Sequence, residues 1–183
     1  VEPLFNARYA KRDEHNVMNF LLGDNDNPCS MVSSLLAIRE NIRTTRDVIP
    51  AETWELINEL SLYVDNNLAM GVSRSKRYPF LEDVIKGCHQ ILGLIYGSMP
   101  HDSAWYFMRL GRNLERADMT TRILDAGAAA ILQITEDEQS INSKQIIWGN
   151  VLRSLNAAQS YRRTRRVSVK ASTVVEYLLE DGA

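Results

Sequence analysis

Apolar residues recur at three- and four-residue steps along almost the whole chain, the period of one face of an α-helix. Met31, Leu35, Ile38, Ile42 and Thr45 form one such line; Asn27 suits its N-cap, Pro28 suits the first helical position, and the pattern runs to about Val48. Trp54, Ile57, Leu60, Val64 and Leu68 form the next, in a helix from near Pro50 to about Met70 with Gly71 as its C-terminal cap. Phe80–Tyr96 predicts a third, with Leu81, Val84, Ile85, Cys88, Leu92 and Ile95 turned inward and the stretch from Gly97 to Pro100 as its stop. The fourth runs from about Ala104 to Ala130 behind a cap at Asp102 or Ser103, with the stripe Phe107, Leu110, Gly111, Leu114, Ala117, Thr121 and Leu124. A fifth covers about Ser143–Arg165, with Ile147, Val151, Leu155 and Ala158 inward, and a short sixth covers about Ser172–Glu180. One more short helix, Asn16–Leu22, is closed by Gly23, and residues 72–79 and 135–140 read as charged loops. No period-two stretch of useful length occurs. The pattern predicts an all-α protein, an antiparallel bundle of about five to seven helices in a single domain over residues 1–183.

Composition narrows the classes. Of 183 residues, 45% are apolar and 24% charged, the balance of a globular chain. No apolar run approaches the ~18 residues of a membrane-spanning helix. Two cysteines, Cys29 and Cys88, do not make a disulfide-rich scaffold; they allow one bridge, and the simpler reading is a reducing, cytoplasmic setting. His15, His89 and His101 are scattered, no His/Cys set has zinc spacing, and no phosphate-binding glycine loop occurs, so neither a metal nor a cofactor is expected. The run Asp24–Asn27 lacks the glycine and distal glutamate of a calcium loop and reads as turn and capping chemistry. The chain opens at Val1 without a signal-peptide apolar core.

Net charge is −2, but unevenly placed: Gln139–Val175 holds seven basic residues and no acidic one, and the remainder holds 14 basic and 23 acidic. The basic run, which includes Arg162, Arg163, Arg165 and Arg166, has few interleaved aromatics. It reads as a contact with an acidic patch, in this chain or on a partner, rather than as a nucleic-acid or membrane site.

Two polar helices carry the candidate chemistry. On the fourth, Arg109, Arg112, Glu115, Arg116, Asp118, Arg122 and Asp125 fall at helical spacings, with Asp118 four residues before Arg122 in the stabilising order. On the first long helix, Arg39, Glu40, Arg43, Arg46 and Asp47 do the same. One reading is a pair of solvated faces laced with weak ion pairs. The other is a network lining a groove, where arginine forks grip a carboxylate or phosphate of a ligand or partner. Gly111 beside Arg112 leaves room for another helix to approach.

An internal echo is also present. Val17–Asp24 (VMNFLLGD) and Val174–Asp181 (VVEYLLED) share Val, an aromatic three residues on, Leu-Leu, and a final Asp. The first copy runs on into a long helix; the second lies at the end of the chain.

The run Leu110–Asp118, LGRNLERAD, resembles the Glu-Arg signature of the alpha-E family of bacterial helical domains. The stretch DNDNPCSMVSSLLAIRENIRTTRD, the W-E-L-I-N helix after it, and Trp148–Arg163 followed by VVEYLLED resemble further segments of that family in the same order. The resemblance covers roughly Asn16–Asp181 and fits the middle portion of the family's domain, without its N-terminal Glu-Arg helix or its later helices. It implies an all-helical fold and a partner in an amide- or peptide-forming system, because the family's members tend to be encoded beside, or fused to, an ATP-grasp ligase and a transglutaminase-like protein. On that reading Arg112, Glu115 and Arg116 organise a partner-binding groove with Glu40, Arg43 and Arg46 opposite. The alternatives are a structural or homo-oligomerising bundle, and an enzyme using Glu115 as general acid or base with Arg112 and Arg116 holding an anionic substrate.

Overall fold

The computed structural model describes residues 2–134 and 140–180, and every regular element among them is an α-helix: α1 Glu2–Arg8, α2 Glu14–Leu22, α3 Met31–Thr44, α4 Glu52–Val72, α5 Arg77–Ser98, α6 Ser103–Leu132, α7 Ser140–Ser154, α8 Ala158–Arg165 and α9 Ala171–Glu180. The all-α expectation holds. The described helices number nine rather than five to seven, because α1 adds one at the start and the expected fifth helix is split in two. The expected loop at residues 135–140 lies outside the described residues except at Ser140, where α7 begins. The chain divides into two compact units, Val1–Trp105 and Tyr106–Ala183.

In the first unit, cap chemistry moves the helix ends away from where hydrophobic spacing places them. Ser30, not Asn27, caps α3: its side chain accepts from Ser33 N. Asn27 is spent elsewhere. Fully buried, it donates to Phe20 O at 2.8 Å and accepts from Cys29 N at 3.1 Å, tying α2 to the turn that enters α3. α3 stops at Thr44 rather than Val48, where the Thr44 and Thr45 hydroxyls bond back to the Asn41 carbonyl. Gly71 is no cap: it lies inside α4, against Phe80 of α5.

The expected inward line of α5 is rotated. Phe80, Val84, Ile91 and Ile95 are buried, while Ile85 and Cys88 are exposed. Gly87 faces Leu60 closely enough that a Cβ there would meet Leu60 Cδ1 at 2.8 Å, so the packed seam with α4 runs through the glycine and turns Ile85 and Cys88 away. Ile57 and Val64 of α4 fill the centre of that seam. Phe5 attaches α1, stacking on Tyr9 and meeting Phe20 edge-on at 5.3 Å. The Asp24 turn is a polar knot, as its turn chemistry predicts: buried Asp24 accepts from Tyr9 Oη at 3.1 Å and Arg8 Nε at 3.1 Å, and receives Asp26 N.

In the second unit, Trp148, Val151, Leu152, Tyr161, Val174 and Tyr177 form the core, with Ile123, Leu124 and Ile131 of α6 packed on it. The helix expected to run unbroken to Arg165 ends at Ser154 because Asn156 takes a left-handed conformation, φ 56°. Ala157 N reaches Leu152 O at 2.8 Å and Asn156 N reaches Arg153 O at 3.0 Å, the paired bonds of a Schellman ending. Hydrophobic periodicity continues through this corner into α8, which is why spacing alone does not show the break.

Candidate functional site

The Glu-Arg stretch lies on α6, started by Asp102, whose Oδ1 accepts from Trp105 N at 3.2 Å. Arg109, Arg112, Glu115, Arg116, Asp118 and Arg122 are all exposed. So are the large apolar residues of its stripe: Phe107 is 73%, Leu110 53% and Leu114 63% exposed. The amphipathic line is present, but the side chains that bury α6 in its unit begin only at Ile123.

Helical geometry separates two faces. At about 100° per residue, positions two apart look to nearly opposite sides, so Leu114 faces away from Arg112 and Arg116. Phe107, Leu110, Gly111 and Leu114 form an open apolar line with Glu115 and Asp118 beside it. On the other side, Arg112 and Arg116 border a groove of about 760 Å³ completed by Ile123, by Leu155 and Asn156 at the α7–α8 corner, and by Leu178 and Leu179 of α9. Among the described residues no carboxylate lines it. The Arg116 guanidinium makes no ion pair among the described residues, and Glu115, which lies outside the groove, makes none either. Asp118 and Arg122 pair with each other at 2.7 Å on the exposed surface.

The candidate residues on α3 and in the turn after it have a different use. Arg43 grips Glu40 through two nitrogens at 2.8 and 2.6 Å, which holds the Glu40 carboxyl below its ordinary value. Arg39 donates to Asn58 Oδ1 at 3.0 Å, and Arg46 lies over the Trp54 ring at 4.2 Å. Arg39 thus fastens α3 to α4, and Arg46 fastens the turn after α3 to the same helix. All four find these partners inside the first unit, whereas the α6 set belongs to the second.

Of the basic run, Arg165 pairs with Glu176 at 3.0 Å, and Arg153 and Arg162 line a second groove of about 560 Å³. Cys29 and Cys88 are free. Helical spacing does not mark Asn156, Leu178 and Leu179 as site residues; the signals for them are an asparagine able to turn left-handed and the second copy of the echo.

An all-helical chain that displays an open Glu-Arg helix is thereby defined as a helical domain carrying its signature on the surface. The chain belongs to the Alpha-E family, described as a predicted alpha-helical domain with a conserved ER motif, and the match covers residues 1–183, beyond the Asn16–Asp181 stretch that carries the resemblance. Glu115-Arg116 is the sole Glu-Arg dipeptide of the sequence. The uncharacterized protein Mb2597 of Mycobacterium bovis is 23% identical over 162 residues, and the uncharacterized protein Rv2567 of Mycobacterium tuberculosis is 22% identical over the same length. The match takes in 86% of this chain but 18% of each relative, so the chain spans under a fifth of the length of these relatives. No solved structure matches. No helix among the described residues is long and apolar enough to cross a membrane.

Proposed function

We propose that this chain is a partner-binding module of a cytoplasmic ATP-grasp amide- or peptide-ligase system, docking the ligase through the exposed face of α6. The observation that carries the reading is the open line of Phe107, Leu110 and Leu114 flanked by Glu115. Three large apolar side chains in a row on one helix, more than half exposed, favour burial against another protein surface. The adjoining charges set orientation more than affinity. The ligase as occupant follows from the alpha-E resemblance, and relatives more than five times longer than the matched stretch have ample chain for such a partner. Glu115 stands on an open face, away from the groove, which gives a substrate no walls to be held against and leaves the catalytic alternative without support from the geometry.

The test is co-purification of the ATP-grasp ligase encoded beside the gene with the full chain and its variants. Wild type retains the ligase, Leu114→Asp loses it with an unchanged circular dichroism spectrum, and Glu115→Gln weakens it. Equal retention by wild type and a folded Leu114→Asp variant overturns the reading. So does a wild-type chain that retains only further copies of itself, which would make the same face a homo-oligomer contact.

A further inference from the structure

We propose that the groove between α6, the α7–α8 corner and α9 receives an acidic amphipathic helix, seated on α9 as α4 is seated on α2 in the first unit. The proposal rests on the partner-binding reading and names the chemistry of one partner element.

The two copies of the echo fold alike. Val17–Leu22 and Val174–Leu179 are both helical, each copy buries its aromatic (Phe20 in α2, Tyr177 in α9), and each of these rings takes a tyrosine edge-on, Tyr9 at 6.0 Å and Tyr161 at 5.4 Å. The copies differ in what covers the second leucine. Leu22 is half-buried under α4, its Cδ1 only 3.1 Å from where a Cβ on Gly71 would stand. Leu179, its counterpart, is 61% exposed and forms the edge of the groove. The same helix face that holds a helix in one unit is open in the other.

Charge complementarity identifies the occupant. α4 carries Glu52, Glu55, Glu59 and Asp65 and no basic residue. The open groove has Arg116 on its wall beside Arg112, and among the described residues no carboxylate lines it. A floor of Ile123, Leu155, Leu178 and Leu179 takes the apolar face of such a helix while Arg116 meets its acidic flank. One position departs from the parallel: Glu180 stands where the first copy has Gly23. The atom closest to a Cβ at Gly23 is Leu68 Cδ2, the tip of a flexible side chain, at 2.7 Å, so a changed rotamer on the incoming helix accommodates the difference.

The experiment titrates the full chain into a fluorescein-labelled peptide of sequence Glu52–Val72, read by anisotropy, with a scrambled peptide of the same composition alongside. Saturable binding is expected for the native order and not the scrambled one. Leu179→Asp and Arg116→Glu should each weaken it by about tenfold or more, the scale of losing one anchor or one desolvated charge partner. Arg163→Glu, outside the groove, should leave it unchanged, and added salt should weaken it. A peptide with its four acidic residues changed to lysine should prefer the Arg116→Glu chain. Absent binding to wild type, equal binding of the scrambled peptide, or indifference to both groove variants overturns the proposal. A chain that binds no peptide yet retains the ligase in a Leu114-dependent manner overturns the helix occupant alone; one that does neither overturns both readings.

Discussion

Arg77 closes an ion pair of 2.8 Å with Glu14, and its other nitrogens donate to the Gly71 and Val72 carbonyls at 3.0 and 3.1 Å. One side chain therefore ties α2 to α5 and caps the end of α4. The hydrogen bond from Arg77, reinforced by the charge of Arg74, holds the Glu14 carboxyl below its ordinary value against a smaller opposing effect of burial. A carboxylate with a depressed folded-state value contributes stability above its unfolded value, near pH 4.3, and loses that contribution as pH falls through the folded value. Glu14→Gln is expected to lower Tm at pH 7, with the gap from wild type narrowing as the buffer is taken to about pH 3. A gap unchanged between the two buffers would show that the pairing contributes nothing to the acid limb.

Gly71 and Gly93 should respond oppositely to alanine. A Cβ at Gly71 would stand 2.6 Å from Phe80 Cε1 and 2.8 Å from Phe80 Cδ1, and the ring is fully buried with nowhere to go. Gly71→Ala is expected to cost about 1–3 kcal/mol, the usual range for overpacking. Gly93 has no atom within 4 Å of the same position, so Gly93→Ala should stabilise by about 0.5–1 kcal/mol through helix propensity alone. Urea denaturation of both variants decides it; equal shifts would mean that α4 and α5 do not approach at Gly71 as described.

Much of this architecture was legible because helices announce themselves by period, and the limits of that signal explain what was not. Asn27 and Ser30 are both good caps; the choice between them depends on Asn27 being drawn into a bond with Phe20 O, a contact across seven residues that spacing does not encode. Spacing marks Phe107, Leu110 and Leu114 as one apolar face but does not show that the face is open, since periodicity reports a face and not what covers it. The alpha-E motif contains Arg112 and Arg116. The groove they border also needs Leu178 and Leu179, which only folding brings near them.

Asn156 makes the α7–α8 corner, and its left-handed φ of 56° is what that corner requires. Asn156→Gly should fold as well as wild type, because glycine adopts this conformation without a steric penalty. Asn156→Ala should cost about 1–2 kcal/mol, the penalty for a Cβ in the left-handed region. Because Asn156 and Leu155 also line the groove, the alanine variant is expected to weaken binding of the acidic helix, and the glycine variant is not. Thermal melts and the anisotropy titration, run on the same two proteins, separate the two effects.

Gly111 sets stability against docking on α6. It is exposed, sits within the Glu-Arg signature, and has no atom within 4 Å of a built Cβ. A glycine inside a long helix costs about 0.5–1 kcal/mol relative to alanine, so Gly111→Ala should raise the stability of the isolated chain by that amount. The same position flanks Leu110 and Leu114, where a glycine lets a partner backbone come close. Gly111→Ala should therefore produce a more stable chain that retains less ATP-grasp ligase, and Gly111→Leu should lose it altogether. Greater stability with undiminished retention would show that the partner does not approach at this point, and the docking face would then have to be redrawn toward Phe107.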